Sequence, residues 1–201
     1  MVGALGMHRG AHPAVSNRRV QRQKTLKRSI HCSGIGLHTG SKVSLSLSPA
    51  EADTGIVFVR TDLPAGRAVI RADYANVVDT RLCTAIANEH GAQVATIEHL
   101  MAALAGCEID NLIVQLNAAE VPAMDGSAEP FVFLIECAGV QEQAQPRRAI
   151  EILRPVMAGT SDRFASLTPS PDTVFSIEID FDNKAVARQE YSLALSPDAF
   201  K

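Results

Sequence analysis

Apolar residues recur along this chain at two periods, and the two periods divide it into helices and strands. Ile97, Leu100, Met101 and Leu104 fall at i, i+3, i+4 and i+7, one face of a helix. The spacing predicts a helix over Thr96–Gly106, with the Thr96 hydroxyl as N-cap and Gly106 as the left-handed residue past its end. Phe131, Leu134, Ile135 and Ala138 repeat the stripe. They predict a second helix from about Pro130, capped by Ser127 or a neighbour and ended by Gly139.

The other pattern has period two. Val43, Leu45 and Leu47 alternate with Ser44, Ser46 and Ser48, which predicts a half-buried strand. Pro49 to Gly55 turns the chain and Ile56–Arg60 returns, so a hairpin is expected. Leu26–Ile30, Val69–Ala72, Thr84–Ala87, Ala92–Ala95 and Asn111–Asn117 read as further strands. Ser33–Gly40 between them is a glycine-punctuated loop, and its three glycines allow close approach of backbone or positive φ. It does not fit G-x-G-x-x-G, so no dinucleotide site is read there. Gln141–Arg148 is polar, contains Pro146 and reads as a linker. Beyond it, Ala149–Val156, Arg163–Leu167, Val174–Phe181 and Tyr191–Leu195 read as strands.

An internal echo links the two parts. Ser41–Arg60 runs strand, Ser-Pro turn, strand, and Arg163–Phe181 does the same around Thr168-Pro169-Ser170-Pro171. This suggests a second copy of the first fold starting near Ala149. That copy stops before its helices, and a sheet with an uncovered apolar face is not stable alone. The chain is therefore expected to be a fragment.

Composition narrows the function. Of 201 residues, 46% are hydrophobic and 20% charged, with a net charge of −3. This is a globular composition without a basic field for nucleic acid. Aromatics make up 4%, with no Trp, so base-stacking surfaces are not expected. Met1–Lys24 is a basic tail read as disordered, without the apolar core of a signal peptide. No apolar run is long enough to span a bilayer. Cys32, Cys83, Cys107 and Cys137 form no C-x-x-C pair; free thiols in a reducing cytoplasm are the simplest reading.

The candidate chemistry sits in the first turn of the first helix. Glu98 and His99 lie off the apolar stripe. The positive end of the helix favours the carboxylate and disfavours an imidazolium, and a neutral imidazole beside a carboxylate is what a catalytic metal site requires. On the residues alone, two solvated first-turn side chains carry more weight than chemistry, and there is no H-E-x-x-H. His31 reads as structural and His90 as solvated. Asp125 and Ser127 read as turn and cap residues, and Cys83 as a small buried side chain. A functional role for His38, in the glycine-rich loop, stays open.

Several motifs then occur in order: Leu26-Lys27-Arg28, Gly34-Ile35-Gly36-Leu37-His38-Thr39-Gly40, Asp79-Thr80-Arg81-Leu82-Cys83-Thr84, Asn88-Glu89-His90, Thr96-Ile97-Glu98-His99-Leu100, Gly106 to Asn111, and Met124-Asp125-Gly126-Ser127 to Pro130-Phe131. From Lys24 onward the chain resembles the UDP-3-O-acyl-N-acetylglucosamine deacetylases, zinc enzymes of lipid A synthesis in Gram-negative bacteria. The resemblance implies an α+β fold: a two-layer α/β sandwich, a sheet packed on two helices, duplicated in the family. It places the first domain at 25–146 and a partial second at 147–201, after a tail at 1–24. It implies a Zn2+ cofactor with His99 as ligand, Glu98 as general base, and Leu82, Cys83 and His38 near the substrate, UDP-3-O-acyl-N-acetylglucosamine. It also implies a cytoplasmic enzyme. No residue here matches the family's later H-x-x-x-D ligand segment or its later catalytic histidine. A catalytic zinc normally has three protein ligands, so this polypeptide alone is expected to be inactive. The competing expectation is a non-catalytic binding module of the same fold.

Overall fold

The computed structural model describes residues 21–196. Most of the basic tail read at Met1–Lys24 lies outside them. Its last residues do not: Arg22, Gln23 and Lys24 belong to the first strand, β1 (Arg22–Leu26). Next come β2 (Ile30–Ile35), β3 (Lys42–Pro49), β4 (Ile56–Arg60) and β5 (Val69–Arg71). After one 3₁₀ turn at Tyr74–Asn76 the chain forms β6 (Val77–Asp79), β7 (Ala85–Ala87), β8 (Gln93–Val94), α1 (Glu98–Gly106) and β9 (Leu112–Leu116). Then follow α2 (Glu129–Ala138), β10 (Val140–Pro146), β11 (Val156–Gly159), β12 (Phe164–Leu167), β13 (Val174–Asp180) and β14 (Arg188–Ala194).

The main sheet has the order β2-β3-β9-β4-β5. β9 pairs antiparallel with β3 and parallel with β4. The expected β3–β4 hairpin is therefore absent, because β9 lies between the two strands. The register puts Ile30, Leu47, Val114, Phe58 and Ile70 in one row across all five strands. Leu47, Val114, Phe58 and Ile70 are buried. They pack in one cluster with Leu100, Ala103 and Leu104 of α1 and Phe131, Ile135 and Ala138 of α2. One sheet face covered by two helices is an α+β two-layer arrangement, each layer burying its apolar face on the other. The serines alternating with Val43, Leu45 and Leu47 face the other way.

Several boundaries differ from the sequence reading, each for a physical reason. Leu26–Ile30 is not one strand: β1 ends at Leu26 and β2 begins at Ile30. β2 continues through Ser33 and Gly34 to Ile35, so the glycine loop is confined to 36–41. Gly34 lies against Pro122 and Met124, where a side chain would collide. The polar stretch read as a linker is β10, antiparallel to β1 with Leu26 opposite Val140. Its glutamines serve this edge: Gln143 accepts from Asn111 Nδ2 at 2.7 Å and donates to the Ala50 carbonyl at 2.8 Å. No strand covers Ala149–Arg154; β11 begins at Val156. β12 and β13 do not pair with each other. Each forms a hairpin with its other neighbour, β11 with β12 and β13 with β14. Phe164, Phe175 and Ile177 on these hairpins are exposed. In the first part β2 pairs antiparallel with β3 and β4 with β5.

Candidate active site

Three segments meet around the first turn of α1, and hydrogen bonds define how. The helix begins at Glu98, with Ile97 as N-cap and no side chain capping it. Thr96, expected to cap, sits at φ 57°, a region that a β-branched residue rarely adopts. Its hydroxyl is turned away from the helix and donates to Glu120 Oε1 at 3.0 Å. Gly106 is the last helical residue, and the left-handed position falls at Glu108, φ 58°. The second helix behaves nearer to expectation: Ser127 Oγ accepts the Glu129 N–H at 3.1 Å, and Gly139 follows the last turn at φ 72°.

Glu98 is tied to the segment carrying Leu82 and Cys83. The Thr84 N–H donates to Glu98 Oε2 at 2.8 Å, and the Ile97 N–H donates to the Thr84 carbonyl at 3.3 Å. Thr84 is therefore held on both sides by the start of α1. Leu82, two residues before, is exposed, and Cys83 is half-buried. The turn leading in is fixed by Asp79, which accepts from the Arg81 backbone N–H at 3.0 Å and from its guanidinium at 2.7 Å. The Arg81 guanidinium holds the Asp79 carboxyl well below the usual carboxylate range.

His99 lies near Asp125. The Asp125 carboxyl is held below its ordinary value, first by the Ser127 N–H and hydroxyl, with a smaller contribution from His99. Asp125 Oδ1 accepts both Ser127 bonds at 2.9 Å, so it is the turn residue expected of it.

His38 enters through its backbone. In the 36–41 loop, the His38 N–H donates to Glu120 Oε1 at 2.9 Å, and the Thr39 N–H donates to Glu120 Oε2 at 3.0 Å. The Thr39 hydroxyl donates to the same oxygen at 2.8 Å. Glu120 thus joins the loop of His38 to Thr96, two residues before Glu98. Burial alone raises the pKa of this carboxyl, but the four hydrogen bonds together outweigh burial and bring it below its ordinary value.

The structure therefore brings the Leu82–Cys83 segment, the His38 loop and the Glu98–His99 turn together through two hydrogen-bonded bridges. Sequence reasoning singled out none of the bridging groups, Thr84, Thr96 as a donor, or Glu120. One signal was present: Glu120 is a lone acid among Ala118, Ala119, Val121 and Pro122, and an acid in an apolar stretch calls for donors. A groove of about 530 Å³ lies elsewhere, on the polar sheet face lined by His31, Ser33, Ser44, Ser46 and Gln115. Among the described residues, no group of three or more His, Cys, Asp or Glu side chains is placed to hold a metal ion.

Known proteins resemble the chain along the same stretch. The family model described as UDP-3-O-acyl N-acetylglycosamine deacetylase (LpxC) matches residues 23–201. A UDP-3-O-acyl-N-acetylglucosamine deacetylase of Acidithiobacillus ferrooxidans is 54% identical over 162 residues, 81% of this chain and 53% of that protein. A protein of the same name from a Shewanella species is 44% identical over 173 residues, 86% of this chain and 56% of that protein. The chain spans about half the length of the curated relatives it matches. A match over nearly the whole chain, carried through every segment of the site just described, shows that the chain belongs to the UDP-3-O-acyl N-acetylglycosamine deacetylase family.

Proposed function

We propose that this chain contributes the Glu98–His99 part of an active site that hydrolyses the N-acetyl group of UDP-3-O-acyl-N-acetylglucosamine, a step of lipid A synthesis in the cytoplasm. The observation that supports it best is the Glu98 carboxylate, oriented by the Thr84 N–H at 2.8 Å beside His99 in the first turn of α1. In the reaction, water attacks the acetyl carbonyl carbon and Glu98 takes its proton. The C–N bond then breaks, the proton passes to the departing nitrogen, and acetate and a free amine result. Leu82 and Cys83 on one side and His38 on the other flank the substrate in this reading. No helix among the described residues is long and apolar enough to cross a membrane.

Zinc is the cofactor implied by the resemblance, and His99 is the ligand this chain offers. The described residues do not complete a site for it, since no three donors converge and a catalytic zinc normally has three protein ligands. No step above is therefore routed through the metal. The same observation favours a second reading for the 201-residue chain taken alone: a module that binds substrate without turning it over.

Titrating UDP-3-O-acyl-N-acetylglucosamine into the labelled 201-residue chain tests the first reading. Backbone NMR resonances of Leu82, Cys83, His38 and Glu98 are expected to move together. A titration that leaves them in place sinks it. Acetate release with added zinc tests the second reading, which full turnover would overturn. Turnover near the background supports the module, with zinc held below one tightly bound ion per chain. Full turnover supports a complete enzyme.

A further inference from the structure

We propose that Glu120 is a positioning residue for this site: its buried carboxylate locks the 36–41 loop, which carries His38, to the approach of α1, which carries Glu98 and His99. The inference rests on the reading that these three residues serve one site.

A carboxylate removed from water is costly unless its oxygens are filled by hydrogen-bond donors. Glu120 is 0% exposed, and both oxygens are filled. Oε1 accepts from the His38 N–H at 2.9 Å and the Thr96 hydroxyl at 3.0 Å. Oε2 accepts from the Thr39 N–H at 3.0 Å and the Thr39 hydroxyl at 2.8 Å. All four donors are neutral, and they come from two segments far apart in sequence. Each oxygen reaches the loop, and Oε1 also reaches Thr96, so one rigid group sets the loop against the approach to the helix.

The backbone reinforces this link. The Ala95 N–H donates to the Ala119 carbonyl at 2.9 Å and the Val121 N–H to the Ala95 carbonyl at 3.0 Å. Glu120 is thus docked on the strand-like approach to α1 before its side chain reaches the loop. A Cβ on Gly36 would overlap Glu120 Oε2 and come within 2.5 Å of Thr39 Oγ1, so glycine is required for the carboxylate to approach. Thr96 keeps its positive φ while its hydroxyl engages Glu120. A residue held in a costly conformation persists where its surroundings over-determine it.

The test compares wild type, Glu120→Gln, Thr39→Val and Thr39→Ser in the full 201-residue chain. In Glu120→Gln, hydrogen exchange of the His38 and Thr39 amides is expected to quicken about tenfold or more, as for loss of a charged hydrogen-bond acceptor, while the Leu45 and Val114 amides keep wild-type protection. Thr39 is exposed, so Thr39→Val tests the link even if Glu120→Gln does not fold. Thr39→Val is expected to move the amide resonances of Thr96, Ile97 and Glu98, across the carboxylate from the changed residue. Thr39→Ser is expected to restore them by returning the hydroxyl. A local brace would give the exchange effect without the transmitted shift. The proposal is overturned if Thr39→Val leaves the α1 resonances unmoved, or if Thr39→Ser fails to restore them. None of these measurements needs substrate or metal. A wild-type chain that binds no substrate therefore counts against the proposed function alone.

Discussion

Thr84 and Glu98 hold each other through backbone and side chain. The Thr84 N–H donates to Glu98 Oε2 at 2.8 Å, and the Thr84 carbonyl accepts the N–H of Ile97, immediately before Glu98, at 3.3 Å. The first turn of a helix leaves N–H groups without helical partners. Here one of them, on Ile97, is taken up by a neighbouring segment that also orients the acid. The carboxylate's direction is therefore set by main chain, which has little freedom to swing. Replacing Glu98 with Ala strands the part-buried Thr84 N–H and is expected to cost about 1–3 kcal/mol. Glu98→Gln retains an acceptor oxygen and is expected to cost less. Urea unfolding of the two variants checks the order; equal stability would show that the bond does not form.

The glycine at position 36 gives a second prediction. Its added Cβ would meet Glu120 and Thr39, whereas a Cβ on Gly66 meets nothing within 4 Å. Gly36→Ala is therefore expected to destabilise by about 1–3 kcal/mol through overpacking. Gly66→Ala is expected to fall within about 0.5 kcal/mol of wild type. Paired denaturant curves measure the difference, and similar losses at both sites would contradict the account.

Glu120 makes a prediction about acid. Its folded pKa lies below the ordinary glutamate value, because the bonds from His38, Thr39 and Thr96 outweigh burial. A depressed carboxyl contributes stability that is complete above the unfolded value, about pH 4.3, and lost as pH falls through the folded value. Wild type is thus expected to lose stability on acidification below that point more steeply than Glu120→Gln, which has no proton to gain. Thermal melts of both between neutral and acid pH give the comparison. Parallel curves would mean that Glu120 titrates alike in the folded and unfolded states.

The core offers a contrast between two phenylalanines. Phe58 is 0% exposed in the row crossing all five strands, and Phe133 on α2 is 64% exposed. Phe58→Ala is expected to cost about 3–5 kcal/mol, from lost burial and the cavity left behind. Phe133→Ala is expected to stay within about 0.5 kcal/mol. Equilibrium unfolding of each variant decides whether the row is the centre of the core.

Local order was legible in the sequence by itself. The alternation of Val43, Leu45 and Leu47 with serines marked β3 and its buried face, and the stripe from Phe131 to Ala138 marked α2 and its buried side. The residues of the candidate site appeared in the sequence only as separate motifs: His38 in a glycine loop, Leu82 and Cys83 after a turn, Glu98 and His99 in a first turn. Periodicity reports which side of an element is apolar, and that is a property of near neighbours. It does not report which strand lies beside which. The adjacent strands β3 and β4 read as a hairpin, yet β9 separates them, because the sheet is closed by contacts between residues some sixty positions apart, such as Phe58 and Val114. For the same reason the glutamines of β10 read as a linker until β1 supplied their strand partner. Thr96 read as a cap, its hydroxyl accepting from the helix, but Glu120 takes that hydroxyl as a donor. A side chain's local options can be read from its neighbours. Which option wins was decided by the tertiary structure, which brought Glu120 to the loop of His38 and to Thr96, and gave a buried carboxylate all four of its donors.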